Sequence, residues 1–180
     1  ITGKPYDGSV LVYHVLDVLV HQYGLTQIRS KVTQPLSGLK VACYYGCLLT
    51  RPPEVVAFDN PENPTCMEDL VTAMGAEPVS WPYRTECCGA SLSMTQPGVV
   101  CRLGHKLVSM AREAGAECIA VACPLCQVNL DLRQMDIQKQ TGRQYDMPII
   151  YITQLMGLCL GIPAATLGLN KLVVSPSKVI

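Results

Sequence analysis

Residues 86–126 read ECCGASLSMTQPGVVCRLGHKLVSMAREAGAECIAVACPLC. This stretch opens on the thiol pair Cys87 and Cys88, runs through an amphipathic segment and a short apolar run, and closes on Cys123 and Cys126. A further thiol, Cys47, lies well upstream. Thiolates are the ligands that zinc and the iron of iron–sulfur clusters prefer. The pattern therefore predicts a soft-metal site assembled from distant parts of the chain.

The composition excludes several classes of protein. The 180 residues carry 14 Lys and Arg against 14 Asp and Glu, without the basic excess of a nucleic-acid-binding domain. No apolar run approaches the roughly 20 residues of a membrane-spanning helix, and no secretory signal is visible. We therefore expect a cytoplasmic protein with no transmembrane segment and no nucleic-acid partner. Because the chain begins at Ile1 rather than Met, we interpret it as a piece of a longer protein.

Apolar periodicity predicts that strands and helices alternate along the chain. The predicted strands are residues 39–45, 78–81, 117–122 and 147–151. The predicted helices are residues 10–28, 65–75, 97–114, 124–140 and 154–160. We expect one domain overall, in which an N-terminal helix and its connection (residues 1–34) precede a cysteine-rich α/β domain (residues 35–180).

Local signals add detail to this assignment. Pro52 and Pro53 argue against a helix directly after Arg51. Thr65 and Glu68 have the spacing of a capping box at the start of the next helix. Within the first predicted helix, His14 and His21 lie seven residues apart and would share a face, where packing is a commoner role than metal ligation.

The alternation favours an α/β fold, a roughly four-stranded parallel sheet with helices on both faces. Cys47 follows the first predicted strand, Cys87 and Cys88 follow the second, and Cys123 follows the third, with Cys126 one turn into the next helix. Ligands of open α/β sheets bind at the carboxyl ends of the strands. The five cysteines are therefore predicted to converge on one edge of the sheet.

The number of candidate ligands is compatible with more than one kind of metal centre. A structural zinc site takes four tetrahedral ligands, and an ordinary cubane cluster also takes four. Five thiols suggest a larger or less symmetric centre, unless one of them is structural. Gly89 would leave room for such a bulky centre because it has no side chain. The ten cysteines could also pair as disulfides, but a chain this large and apolar does not need them to fold.

The remaining cysteines have a simpler interpretation as small core residues without a cysteine at ligand spacing. They are Cys66, Cys101, Cys118 and Cys159. Cys43 lies four residues before Cys47 inside a predicted strand, so its side chain should emerge earlier along the sheet. It is a minor candidate for ligation.

Three segments together resemble the CCG-type cysteine-rich domain: YYGCLLTRP at residues 44–52, CCGA at residues 87–90 and CPLCQVNLD at residues 123–131. The flanking sequence is most similar to the C-terminal such domain in the B-type subunit of heterodisulfide reductase. The resemblance covers nearly the whole chain, and its long-spaced five-cysteine motif is specific, whereas a lone CxxC would not be.

The resemblance implies a function and a set of ligands. In the family, the catalytic subunit carries two such domains, and each holds a non-cubane 4Fe–4S cluster. The corresponding ligands here are Cys47, Cys87, Cys88, Cys123 and Cys126. A disulfide such as that of coenzyme M and coenzyme B is reduced between the two clusters in one-electron steps. The electrons come from an iron–sulfur subunit, which receives them from a flavin subunit. Such a system is expected in anaerobic metabolism.

This chain departs from the family in having a single motif. We therefore expect no disulfide reduction by the chain alone, and zinc could replace the cluster if the domain is isolated or the cluster is lost. Two other interpretations stay open. The chain could be an electron-relay or assembly module of another oxidoreductase with CCG domains, or it could be a structural zinc-binding domain.

Overall fold

The computed structural model of the chain describes residues 3–5, 7–57 and 59–177. In this part of the chain four strands form one sheet: Lys40–Tyr44 (β1), Glu77–Pro78 (β2), Cys118–Val121 (β3) and Ile149–Tyr151 (β4). Their order across the sheet is β2-β1-β3-β4, and every pair is parallel. Val41 pairs with Cys118, and Ile119 pairs with Ile149. The predicted four-stranded parallel sheet is confirmed.

The helices alternate with the strands. The α-helices of the described residues are Val15–Asp17 (α1), Leu25–Lys31 (α2), Pro53–Val56 (α3), Cys66–Ala73 (α4), Pro97–Glu113 (α5), Pro124–Leu132 (α6), Gln134–Thr141 (α7) and Ile152–Cys159 (α8). A π-helical segment, Val18–Gly24, joins α1 to α2. Short 3₁₀ turns lie at Ala90–Leu92 and Leu169–Lys171. None of these helices has the length and apolar character needed to span a membrane.

The sheet is buried on both faces because its side chains alternate between two cores. On one side, residues such as Cys43 and Tyr45 pack with α1, α2, α4 and α8. On the other side, residues such as Tyr44 pack with α5 and α6. The predicted placement of helices on both faces is confirmed. Leu16 from the N-terminal helices belongs to the same core as the sheet, and the division at residue 34 stays a prediction.

The prediction of one helix over residues 10–28 is wrong at both ends. Residues 10–14 are not helical, and the helical segment begins at Val15. His14 precedes it as the N-cap, where its Nδ1 accepts a hydrogen bond from the Leu16 N–H at 3.1 Å, so His14 and His21 do not share a helix face. The chain breaks again at Gly24, whose φ of 95° is not helical, before α2 continues to Lys31.

Two local predictions around residue 60 also need correction. A short helix, Pro53–Val56, does follow Arg51, because proline is tolerated at the first helical position, where its missing N–H has no partner to lose. The capping box is absent. The N–H groups of Thr65 and Cys66 instead donate to the Asp59 carboxylate, at 3.0 and 2.9 Å. A carboxylate from the preceding loop therefore caps α4.

The remaining differences concern where elements end. The second strand spans Glu77–Pro78 rather than residues 78–81, because Trp81 turns toward β1 and its indole N–H donates to the Cys43 carbonyl at 2.9 Å. The predicted helix over residues 124–140 is divided into α6 and α7 at Arg133.

Tyr45→Phe should destabilise the fold. The buried Tyr45 hydroxyl accepts the Met67 N–H at 2.7 Å and donates to the Glu68 carboxylate at 2.5 Å, so it joins β1 to the start of α4. Its removal leaves an N–H and a carboxylate without this partner, and we expect a loss of about 1–3 kcal/mol in the free energy of unfolding measured with urea. Tyr145→Phe is the matched control, since its hydroxyl bonds His105 at a half-exposed position. Equal losses in both variants would contradict this account.

Candidate metal centre

The five predicted ligands all lie just beyond the carboxyl ends of neighbouring strands. Cys47 follows β1, which ends at Tyr44, and Cys87 and Cys88 lie in the loop that follows β2. Cys123 follows β3 and is the N-cap of α6, with Cys126 in the first turn of that helix. Because β2, β1 and β3 are adjacent in the sheet, their loops meet at one edge.

The structure brings the five thiols near one another at this edge. The sulfurs of Cys88 and Cys126 lie 3.5 Å apart and share a hydrogen bond. Cys123 is close enough to Cys126 to raise its pKa, and Cys87 has the same effect on Cys47. Among the described residues, no three Cys, His, Asp or Glu side chains lie close enough together to hold a metal ion. The role of these thiols as cluster ligands stays a prediction.

The group extends from the core to the surface. Cys88 and Cys126 are buried, Cys47 and Cys123 are half-buried, and Cys87 is exposed. Leu48 and Leu125, the sequence neighbours of Cys47 and Cys126, expose 76% and 67% of their surface. A molecule in solution can therefore reach the thiol group at Cys87, and exposed apolar side chains lie next to two of the cysteines in sequence.

The glycine that gives room to the thiols is Gly46 rather than Gly89. A Cβ at Gly46 would lie 3.1 Å from the Cys126 sulfur, and Gly46 has a φ of +70° that side chains rarely adopt. At Gly89 a Cβ would instead meet the Leu103 side chain of α5 at 2.9 Å. The predicted role of Gly89 is therefore wrong: it permits close packing of its loop on α5, and Gly46 permits the close approach of the Cys47 loop to α6.

The buried pair Cys88 and Cys126 shares one negative charge unequally. The hydrogen bond between Cys88 and Cys126 lowers the pKa of Cys88 to about 6 despite burial, and the N–H of Ala90 and the amide of Asn129 lower it further. The same bond, together with burial, raises the pKa of Cys126. Burial and the bond to Cys87 raise the pKa of Cys47 to about 11. At neutral pH Cys88 therefore carries a negative charge, whereas Cys126 and Cys47 keep their protons.

Polar side chains hold the loops that carry the thiols. The Tyr44 hydroxyl donates to the Glu86 carbonyl at 2.6 Å, and the Tyr151 hydroxyl donates to the Ala122 carbonyl at 2.7 Å. His14 Nε2 also lies 3.2 Å from the Ala122 oxygen. Each contact fixes the residue that directly precedes a cysteine. Sequence reasoning missed all three side chains, because no spacing rule connects them to the motif.

Asn129 was also missed, although the sequence contains a signal for it. It lies three residues after Cys126 in a helix, so the two side chains share a face. Its amide donates to the Cys88 carbonyl at 2.9 Å.

The other cysteines lie away from this group. Cys43 is fully buried on the opposite face of β1, beside Cys118, and burial raises its pKa well above the ordinary value. Cys101, Cys118 and Cys159 are likewise buried. Cys66 lies 3.9 Å from the His21 ring. All ten cysteines are free thiols, so the structure has none of the disulfides of a stapled scaffold.

A family model matches residues 41–131, the part of the chain from β1 through α6 that carries all five thiols. Its description is the cysteine-rich domain, CCG. The chain belongs to this CCG cysteine-rich domain family. The resemblance predicted from the sequence is confirmed.

The curated relatives of this CCG domain are subunits of oxidoreductase complexes. It is 38% identical over 173 residues to the 8-methylmenaquinol:fumarate reductase membrane anchor subunit of Wolinella succinogenes, covering 96% of this chain and 60% of that protein. It is 34% identical over 172 residues to the B-type subunit of the ferredoxin/F(420)H(2)-dependent CoB-CoM heterodisulfide reductase of Methanosarcina acetivorans, covering 94% and 57%. The B-type subunit of the ferredoxin:CoB-CoM heterodisulfide reductase of Methanosarcina mazei is 32% identical over 180 residues, again covering 94% and 57%.

The CCG chain thus spans less than two thirds of the length of these relatives. Among solved structures, a hypothetical protein from Helicobacter pylori superposes with a TM-score of 0.64 at 10% identity, over 84% of this chain and 28% of that one. The likeness supports the fold alone.

Thiol labelling can test the arrangement of the cysteines in the folded chain. We expect iodoacetamide to modify the exposed Cys87 first and the half-buried Cys47 and Cys123 more slowly. Cys43 and Cys118 should react only through unfolding, slower by at least about 10³-fold, because their sulfurs are fully buried. Mass spectrometry of the digested protein would give the rate at each site. Labelling of Cys43 as fast as that of Cys87 would refute this placement of the thiols.

Proposed function

We propose that this chain is an iron–sulfur domain of a heterodisulfide-reductase-like oxidoreductase. Its ligands are Cys47, Cys87, Cys88, Cys123 and Cys126, which hold a non-cubane 4Fe–4S cluster. The observation that carries the proposal is the meeting of five thiols from three loops at one edge of the sheet. Membership of the CCG family and the similarity to heterodisulfide reductase subunits support it.

The chemistry of the donor set fits an iron–sulfur centre. All five candidate donors are sulfur, the soft ligand that iron–sulfur clusters take, with no carboxylate or imidazole among them. No three of these thiols are close enough together in the described residues to hold a single ion, and five exceed the four that a zinc ion or an ordinary cubane needs. N–H groups of Ala90 and Asn129 near Cys88 would stabilise negative charge on a ligating sulfur. Nothing in this geometry favours the alternative of a structural zinc ion.

Reduction of a disulfide breaks one S–S bond and consumes two electrons and two protons. A bound cluster would supply electrons one at a time. The residues of this chain would hold the cluster at a surface that a substrate can reach, since Cys87 is exposed. We propose a thiol disulfide such as CoM-S-S-CoB as the substrate.

The active form is proposed to need more than this chain. A second domain of the same kind would supply the second one-electron centre, and an iron–sulfur subunit fed by a flavin subunit would supply the electrons. The division at residue 34 belongs to the same proposal. So does a cytoplasmic location, because free thiols persist in a reducing compartment. The isolated chain should therefore bind the cluster and reduce no disulfide.

Anaerobic reconstitution with iron and sulfide tests the cluster. We expect about four irons and four sulfides per chain. Cys47→Ala and Cys88→Ala should each lose most of the iron, because they remove ligands from different loops. Cys43→Ala is the matched control, since Cys43 precedes Cys47 by four residues but faces the opposite core. A folded chain that binds no iron, or a Cys43→Ala variant as deficient as Cys88→Ala, would refute the proposal.

A second candidate is an electron relay without substrate chemistry. The similarity at 38% identity to a subunit of a fumarate reductase, rather than of a disulfide reductase, favours it. The relay would use the same five thiols and the same cluster, but the cluster would only pass electrons between other centres.

Disulfide addition separates the two candidates. In the parent polypeptide with its second domain, an added disulfide substrate should produce a new paramagnetic state of the one-electron-reduced protein, detected by electron paramagnetic resonance. The corresponding thioether, which has no S–S bond to reduce, is the control ligand. An unchanged spectrum would favour the relay.

A further inference from the structure

Asn129 connects the two cysteine loops from a buried position on α6. Only 6% of its surface is exposed. Its Nδ2 donates to the Cys88 carbonyl at 2.9 Å, and its Oδ1 accepts from the Ser93 hydroxyl at 3.0 Å. A carbonyl can only accept, so the contact with Cys88 fixes which end of the amide is the NH₂ group. The orientation of the side chain is therefore determined by its partners.

The same amide lies near the Cys88 sulfur, because it lowers the pKa of that thiol. An NH₂ group has two N–H bonds, so the one that does not bond the Cys88 carbonyl is free to point towards the sulfur. Cys88 in turn contacts Cys126, which lies three residues before Asn129 on α6. One side chain thus holds the backbone of Cys88 against the helix that carries Cys126.

The loop from Cys88 to Ser93 is bound at both ends to α6 and to Arg133, the residue that follows this helix. The Ser93 carbonyl accepts from the Arg133 guanidinium at 3.3 Å, and Arg133 is itself paired with Asp136 at 2.9 Å. Gly89 packs tightly on Leu103 from the other side. Asn129 contacts both ends of this loop, Cys88 with its NH₂ group and Ser93 with its Oδ1.

We propose that Asn129 is a positioning residue of the sulfur centre, which fixes Cys88 against Cys126 and directs an N–H dipole at the Cys88 sulfur. This inference rests on the proposed function, because its electronic part concerns a cluster bound by that sulfur. Hydrogen bonds to ligating sulfurs stabilise the more negative, reduced state, so they raise the reduction potential. Asn129 should accordingly raise the potential of the bound cluster.

Asn129→Leu tests the proposal with a variant that keeps the branched outline of the side chain and removes the amide. Gln134→Met is the matched control. Gln134 is also 6% exposed, and its amide donates to the Met147 carbonyl at 2.7 Å and accepts the Met147 N–H at 3.0 Å, so it bonds backbone away from the thiols. Both variants remove a buried amide, and only the first touches a cysteine.

Two measurements on these variants separate positioning from general stability. Hydrogen–deuterium exchange of residues 88–93 in the metal-free chain should be about tenfold faster in Asn129→Leu than in Gln134→Met. The midpoint potential of the reconstituted cluster should shift to a more negative value in Asn129→Leu and stay unchanged in Gln134→Met. Ser93→Ala keeps the NH₂ group of Asn129 but removes the hydroxyl that bonds its Oδ1. This variant should also accelerate exchange, and its shift in potential should be smaller than that of Asn129→Leu.

The outcomes distinguish this inference from the proposed function. Equal exchange in Asn129→Leu and Gln134→Met, or equal potentials, would overturn the role of Asn129. If the unsubstituted chain binds no iron, the proposed function fails, and the effect of Asn129 on the reduction potential fails with it. The exchange measurement in the metal-free chain then still decides whether Asn129 positions Cys88.

Discussion

Every feature of the thiol group depends on the adjacency of β2, β1 and β3 in a parallel sheet. Parallel strands end at a common edge, so three loops that lie far apart in sequence must meet there. The strands can be parallel and adjacent because helices cover both faces and make the crossover connections between them. The position of the proposed metal site is therefore a consequence of sheet topology, and the loops that follow the strands set where each thiol lies.

The adjacent residues Tyr44 and Tyr45 show how one strand serves both the core and the site. Alternation along β1 directs them to opposite faces of the sheet. Tyr44 holds the loop before Cys87 through the Glu86 carbonyl, and Tyr45 holds the start of α4 through the Met67 N–H. Each hydroxyl lies in a buried place and has a partner, as the cost of burying an unpaired polar group requires. The stability of the fold and the shape of the site are thus set by neighbouring residues.

Much of this arrangement could be predicted from the sequence because it depends on local pattern. Apolar runs such as that of β3 identify strands, and cysteine spacing identifies the thiol group. The failures have another origin: they depend on contacts between residues far apart in the chain. The cap from Asp59 and the close approach of Gly46 to the Cys126 sulfur are both of this kind. Periodicity contains no information about such contacts.

The protonation of the metal-free group indicates how metal binding would act on the fold. Cys47, with a pKa of about 11, and Cys126, with a raised pKa, keep their protons at neutral pH, whereas Cys88 carries the charge. A ligating thiol must be deprotonated, so a bound metal centre would displace the protons of Cys47 and Cys126. These two residues belong to the β1 loop and to α6, which already approach each other at Gly46. Binding would therefore replace weak S–H contacts by metal–sulfur bonds between elements that the fold has already brought together.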